Sequence, residues 1–179
     1  MSKNKTILNI VLSAIFLALA YIMPFLTGQI PEIGSMLCPL HIPVILCGFI
    51  CGWKWGLVVG FVAPLFRSLT LGMPPLYPTA FCMAFELATY GVVAGLCYQF
   101  LPNQKIYTYV ALIIAMILGR VVWGIAMLIC LSISGAGFTF AAFISGAIVN
   151  ALPGIIIQII LIPIIVIALE KVKLFNKED

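Results

Sequence analysis

A chain of 179 residues, 64% hydrophobic and only 8% charged, with a mean hydropathy of +1.27, has too little polar surface to face water as a soluble domain. Its net charge of +4 is spread over short connections, which marks membrane topology rather than nucleic-acid binding. Six cysteines without a CxxC pair define no redox compartment, and most lie in apolar runs where a free thiol is a small packing group.

The pattern predicts an all-α, polytopic membrane protein: a single transmembrane domain over residues 1–179 with six spans. They run about Ile7–Phe25, His41–Gly52, Trp55–Leu71, Pro78–Leu101, Ile106–Leu131 and Phe138–Leu169. The first is not expected to be a cleaved signal peptide, since it is of span length, lacks a small-residue cleavage site and is followed by further spans. Lys3, Lys5, Lys54, Lys105, Lys171, Lys173 and Lys177 all fall at one set of span ends, with no lysine at the other. By the positive-inside rule both termini are cytoplasmic, and the loops Thr27–Leu40, Gly72–Tyr77 and Ser132–Gly137 face outside.

Span 1 opens with a basic anchor over Ser2–Asn9 and carries Ala14 and Ala18 one turn apart. Such a pair lets another backbone approach, either within this bundle or from a partner. In the first loop the one charge is Glu32, and His41 heads span 2 between Pro39 and Pro43. His41 beside Cys38 falls short of a metal site; hydrogen bonding at the interface or to a ligand fits better. Span 2 is too short to cross unless part of the preceding loop also lies in the membrane. Gly48, Gly52, Gly56 and Gly60 recur every fourth residue across the turn at Trp53 and Lys54, so they form two close-packing faces that bring spans 2 and 3 together.

Span 3 carries Arg67 roughly 18 Å along its helix, just beyond Pro64, and span 4 carries Glu86 roughly 10 Å from its start at Thr79. A charge deep in a span costs about 3 kcal/mol on the lenient insertion scale and persists with a partner, a cavity or a ligand. Both charges fall in the same half of the bilayer, under the stiff Gly72–Pro78 loop, which reads as a lid carrying Tyr77 over a polar pocket. Arg67 has a second reading, snorkelling to the interface. Met83, Glu86 and Tyr90 share one face of span 4, as a ligand surface or as packing. Gly91 and Gly95 give span 4 a close-packing face lower down.

Span 5 places Arg120 roughly 20 Å from its cytoplasmic end, with Met116, Trp123 and Met127 on adjacent turns, and an inward-facing arginine is expected. Span 6, at 32 residues, is too long for the hydrocarbon and must tilt, project or kink at Pro153 or Pro163. Asn150 is placed near mid-membrane, with Gln158 two turns deeper, as ligand contacts or interhelical hydrogen bonds. Arg67 and Arg120 against Glu86 leave one excess buried cation, which suits a ligand carboxylate. There is no phosphate loop, no acidic metal cluster and no hydrolase motif, so a binding protein driven by an ion gradient or a partner is expected, not an enzyme.

The ensemble resembles the S component, or substrate-binding subunit, of an energy-coupling factor (ECF) vitamin transporter. The residues that carry the likeness are Ala14-x-x-x-Ala18, the stretch from His41 to Gly52, Ala63-Pro-Leu-Phe-Arg-Ser68, Met73-Pro-Pro-Leu-Tyr-Pro-Thr-Ala80, six spans with long outer loops and a long last helix. The resemblance implies an ABC-type importer in the plasma membrane, that of a Gram-positive bacterium. This subunit would capture a vitamin or precursor from outside and dock through Ala14 and Ala18 on a transmembrane coupling subunit bearing two ATP-binding subunits. It would topple in the lipid to release its ligand, without a cofactor or metal of its own. The regions that bind ligand in that family contain here Glu32, His41, Tyr77, Glu86, Tyr90, Arg120, Trp123 and Asn150, with Arg67 added from span 3. The two arginines favour a carboxylated vitamin, pantothenate first, then folate, lipoate or niacin. A stand-alone proton-coupled carrier using Glu86 and Arg120, and a non-transport membrane subunit, remain as alternatives.

Overall fold

The computed structural model describes residues 3–28, 30–102, 104–135 and 137–171. Ser2, Lys173 and Lys177 of the expected basic ends, and Gln29, Asn103 and Ala136 of the expected connections, lie outside the described residues. Helix α1 is Lys3–Ile22, continued by a 3-10 turn over Met23–Thr27; α2 is Pro31–Leu37, α3 His41–Cys51 and α4 Trp53–Leu71. A wide turn over Leu76–Ala80 feeds α5, Phe81–Phe100; then come α6, Lys105–Ile133, and α7, Phe140–Ile144, which widens into a π turn over Ser145–Val149, and last α8, Leu152–Lys171. No strand occurs among the described residues, and six stretches are long and apolar enough to cross a membrane.

The spans alternate in direction. Asn9 near the start of α1 donates to the Cys51 carbonyl at the end of α3 at 3.4 Å, and Tyr98 near the end of α5 donates to Glu170 at the end of α8. At the opposite end the last turn of α1 meets α4 through Tyr21 and Arg67, and the turn before α5 meets the end of α6 through Tyr77 and Cys130. Lys5, Lys54 and Lys105 therefore share one end of the bundle, here called the lysine end; the long connections share the other.

Near the lysine end α3, α4 and α5 touch backbone to backbone. A Cβ on Gly48 would lie 2.5 Å from the Gly91 carbonyl oxygen, and one on Gly56 would lie 2.7 Å from the same oxygen and 2.9 Å from the Gly48 Cα. With no hydrophobic drive between helices in lipid, close van der Waals approach holds the bundle together. Of the series, Gly48 and Gly56 bring α3 and α4 together as expected and both meet α5 at Gly91; Gly60 packs on the Leu87 backbone of α5, and Gly52, with open space at its Cβ, serves the turn at a φ of 89°. Val44, Ile45, Leu87, Leu112 and Ile162 fill the core beside this seam, while Ile117, Val121, Ile125 and Leu128 of α6 form an outward stripe for lipid.

Two spans depart from simple rods. The short second span is completed by α2, so that Glu32–Cys51 reaches span length, as the loop-in-membrane reading required. Between α2 and α3 the chain turns at Cys38, a non-glycine residue with φ of 47°, whose N–H caps α2 on the Gly34 carbonyl at 3.0 Å. The expected continuous last span, Phe138–Leu169, is corrected: it breaks at Asn150 and Ala151 into the short α7 segment and α8. Pro153 accounts for this, because it stands at the second position of α8, where a missing N–H costs nothing and a helix starts readily; Pro163 alone lies inside the helix.

Candidate ligand cavity

At the end opposite the lysines the bundle opens into a cavity of about 610 Å³, within the size range of small-molecule sites. Helices α2 to α6, the Met73–Pro75 stretch and the α7 segment all contribute walls. Most of the lining is apolar, from residues such as Ile30, Leu40, Met73 and Met83, and the polar groups gather in two places.

The first is a cluster around one carboxylate oxygen. Glu86 Oε1 accepts from Arg120 Nη1 at 2.9 Å and from the Tyr90 hydroxyl at 3.1 Å, and lies 3.4 Å from His41 Nε2. Glu86 and Tyr90 are 1% exposed and His41 2%, so the carboxylate is held by charge and hydrogen bonds in place of water. Each partner arrives for a local reason. Glu86 and Tyr90 lie one turn apart on α5, and Gly119 of α6 makes room for the Tyr90 ring, since a Cβ there would lie 2.5 Å from Tyr90 Cε1. The next residue, Arg120, then reaches across to Glu86. His41 enters from the first turn of α3, its ring centre 5.2 Å from that of Tyr90.

Around this cluster some bonding capacity is unused. Arg120 Nη2 donates to Cys38 Sγ at 3.6 Å, and Cys38 Sγ in turn to the Ser35 carbonyl at 3.1 Å. His41 Nδ1 and Arg120 Nε are buried without a partner. Buried polar atoms are normally satisfied, and these two lie behind the cavity wall rather than on it.

The second place is Arg67. It is 3% exposed, its Nη1 donates to the Tyr21 carbonyl at 2.8 Å, and its guanidinium sits 5.3 Å from the Phe25 ring centre. It lines the cavity and pairs with no carboxylate among the described residues.

Of the residues singled out in the sequence, Glu32, His41, Arg67, Glu86, Arg120, Trp123 and Asn150 line the cavity. Glu32 is an exposed residue of α2, and Asn150 is an exposed residue of the break before α8 rather than a mid-helix group. Trp123 braces the α7 segment: a Cβ on Gly146 would lie 2.8 Å from its Cη2, and its ring stacks on Phe143 and meets Phe138 edge-on. Tyr90 stands behind Glu86 and not on the cavity wall. Tyr77 also lies off the wall; its hydroxyl donates to the Cys130 carbonyl at 2.6 Å and pins the turn that carries Met73, Pro74 and Pro75, which do line the cavity. Gln158 is fully buried elsewhere in α8 with Nε2 unpartnered. Cys38, Ser35 and Pro24 are lining residues that the sequence reading did not select; the Pro- and Gly-rich character of the first loop was the available signal.

Among the described residues no group of three or more His, Cys, Asp or Glu side chains could hold a metal ion. Ala14 and Ala18 lie on the exposed face of α1, away from Ser13, Phe16 and Ala20, which are buried against the bundle. They wall a shallow groove with Leu17, Tyr21, Ile22 and Phe66.

No curated protein and no solved structure matches the chain. The family model for the ECF transporter substrate-specific component matches residues 8–166, from α1 into the last turns of α8 and across every cavity residue named above. A six-span bundle with a small-molecule cavity at one end is what such a subunit requires, and the chain belongs to the ECF transporter substrate-specific component family.

Proposed function

We propose that this substrate-binding subunit captures a small carboxylated vitamin or vitamin precursor, with pantothenate as the first candidate. The observation that carries the reading is Arg67. Arg120 and Glu86 neutralise each other at 2.9 Å, whereas Arg67 lines the cavity with a neutral carbonyl as its one acceptor among the described residues. Glu32 adds a formal negative charge to the lining, but it is exposed and makes no ion pair among the described residues, so it is open to solvation at the mouth. A ligand carboxylate would compensate Arg67, its two oxygens matching the guanidinium fork. The cluster of His41, Glu86 and Arg120, all lining residues, would receive hydroxyl or amide groups at the other side of the cavity.

The lysine distribution supports cytoplasmic termini and an outward-opening cavity in the plasma membrane. The outward-facing Ala14 and Ala18 support docking of α1 on a transmembrane coupling subunit that carries two ATP-binding subunits. Isothermal titration of the purified chain with pantothenate, beside native mass spectrometry for a copurified molecule, tests the ligand. Binding of a carboxylated compound that falls at least tenfold in Arg67→Gln is the expected outcome. Tight binding of a neutral or cationic vitamin, unchanged in that variant, would overturn the reading. Uptake into vesicles holding the chain without ATP-binding subunits would instead mark a stand-alone carrier.

A further inference from the structure

Arg67 touches two parts of the molecule at once. On one side it lines the cavity, as does Pro24. On the other, its sole hydrogen-bond acceptor among the described residues is the Tyr21 carbonyl in the last turn of α1, and its guanidinium lies over Phe25 in the 3-10 turn that follows. Pro24, three residues on, has no N–H with which to close a 3-10 bond to that carbonyl. Arg67 takes the place of the missing donor. Beyond it, the Tyr21 and Phe66 rings, 5.5 Å apart, help to wall the groove beside Ala14 and Ala18. Phe66 is the neighbour of Arg67 on α4.

We infer that Arg67 is a shared donor that links occupancy of the cavity to the end of α1: a ligand carboxylate draws its guanidinium from the Tyr21 carbonyl and loosens the turn after it. This rests on the carboxylate reading given above. The physical reason is a competition between unequal acceptors. A helix-end carbonyl offers a partial negative charge, whereas a carboxylate offers a full one and a charge-assisted bond roughly twice as strong. At a side chain only 3% exposed that difference grows. By linkage, whatever moves the end of α1 changes ligand affinity by the same factor. A contact on the α1 groove, which shares Tyr21, is therefore felt at the ligand.

Hydrogen–deuterium exchange of the full chain in lipid nanodiscs, followed in peptides covering residues 19–26, tests this with three matched acid and neutral pairs: pantothenate and pantothenol, nicotinate and nicotinamide, lipoate and lipoamide. Binding of each is measured in parallel by calorimetry. Loss of one hydrogen bond at a helix end predicts about fivefold faster exchange there in Arg67→Gln without ligand. The acid that binds should bring the wild type to a similar rate and leave Arg67→Gln unchanged, while its neutral partner has no effect. Arg67→Lys should fall between the two. Equal exchange in wild type and Arg67→Gln, or an acid that binds without changing exchange, would overturn the link and leave the carboxylate reading standing, whereas a neutral partner that binds and acts as well as its acid would overturn both. Failure of all three acids to bind overturns the link together with the reading beneath it. Should Arg67→Gln not fold, the acid and neutral pairs on the wild type decide alone.

Discussion

Glycine does opposite work at the two ends of this bundle. In the seam of α3, α4 and α5, added Cβ atoms on Gly48, Gly56 and Gly95 would come within 3.0 Å of neighbouring backbone, and those on Gly60 and Gly91 closer still. Around the cavity, Gly34, Gly72 and Gly137 would meet nothing within 4 Å; Gly72 is there for its φ of 69°, which caps α4. The same residue makes a rigid scaffold where it removes bulk between backbones, and a turn where it permits a left-handed conformation. Toward the cavity, the glycines that do remove bulk mostly make room for rings, Gly119 for Tyr90 and Gly146 for Trp123, and only Gly154 meets backbone there, at the Met36 and Leu37 carbonyls.

The contrast is broken most severely at the seam. Gly91→Leu drives a side chain into the Gly56 backbone, which cannot move without separating α4 from α5, and should cost about 3 kcal/mol or more. Loss of a monodisperse peak after detergent extraction, even with the cavity residues intact, is the expected result. A variant that purifies and melts like the wild type would show the seam to be compliant.

Arg120→Ala comes next. It leaves Glu86 buried beside His41 and Tyr90 with its cation gone, and should cost about 3 kcal/mol in thermal unfolding as well as ligand binding. The double variant Arg120→Gln with Glu86→Gln removes both charges; it should recover most of the melting temperature while ligand binding stays lost. Recovery of both would make the pair structural only.

Smaller effects should sharpen the picture. Trp123→Ala removes the brace under the α7 segment without touching the seam; about tenfold weaker ligand binding with a nearly unchanged melting temperature is expected. Tyr77→Phe removes the hydroxyl that holds the turn to Cys130, for about 1 kcal/mol of local stability, visible as faster hydrogen exchange in residues 73–80 and little else. Gly34→Ala, with open space at its Cβ, should change stability by less than about 0.5 kcal/mol.

Much of this was legible in the sequence because lipid imposes simple rules. Long apolar runs without charge must be spans, a proline and glycine cluster must be a turn, and an intramembrane Arg67, Glu86 or Arg120 must answer to something. The weaker inferences were those where one residue type serves two purposes. Pro153 reads equally as a kink or as a helix start, and the run from Phe138 to Leu169 is apolar throughout, so hydropathy passes over the break at Asn150. Tyr77 and Tyr90 are both aromatics with a polar tip near the cavity, yet one pins a turn and the other supports a carboxylate from behind.

The sequence by itself determined the helical class, the number of spans, the lysine asymmetry between their ends and the presence of three charges that the membrane would not tolerate unanswered. Periodicity and transfer energy act locally and can be read one span at a time. Only the tertiary structure decided that Arg120 answers Glu86, that Arg67 answers a backbone carbonyl and faces the cavity, and that Ala14 and Ala18 look away from the bundle. Those choices depend on the rotation of each helix about its axis. Backbone contact in the glycine seam fixes that rotation for α3, α4 and α5, and no single span encodes it.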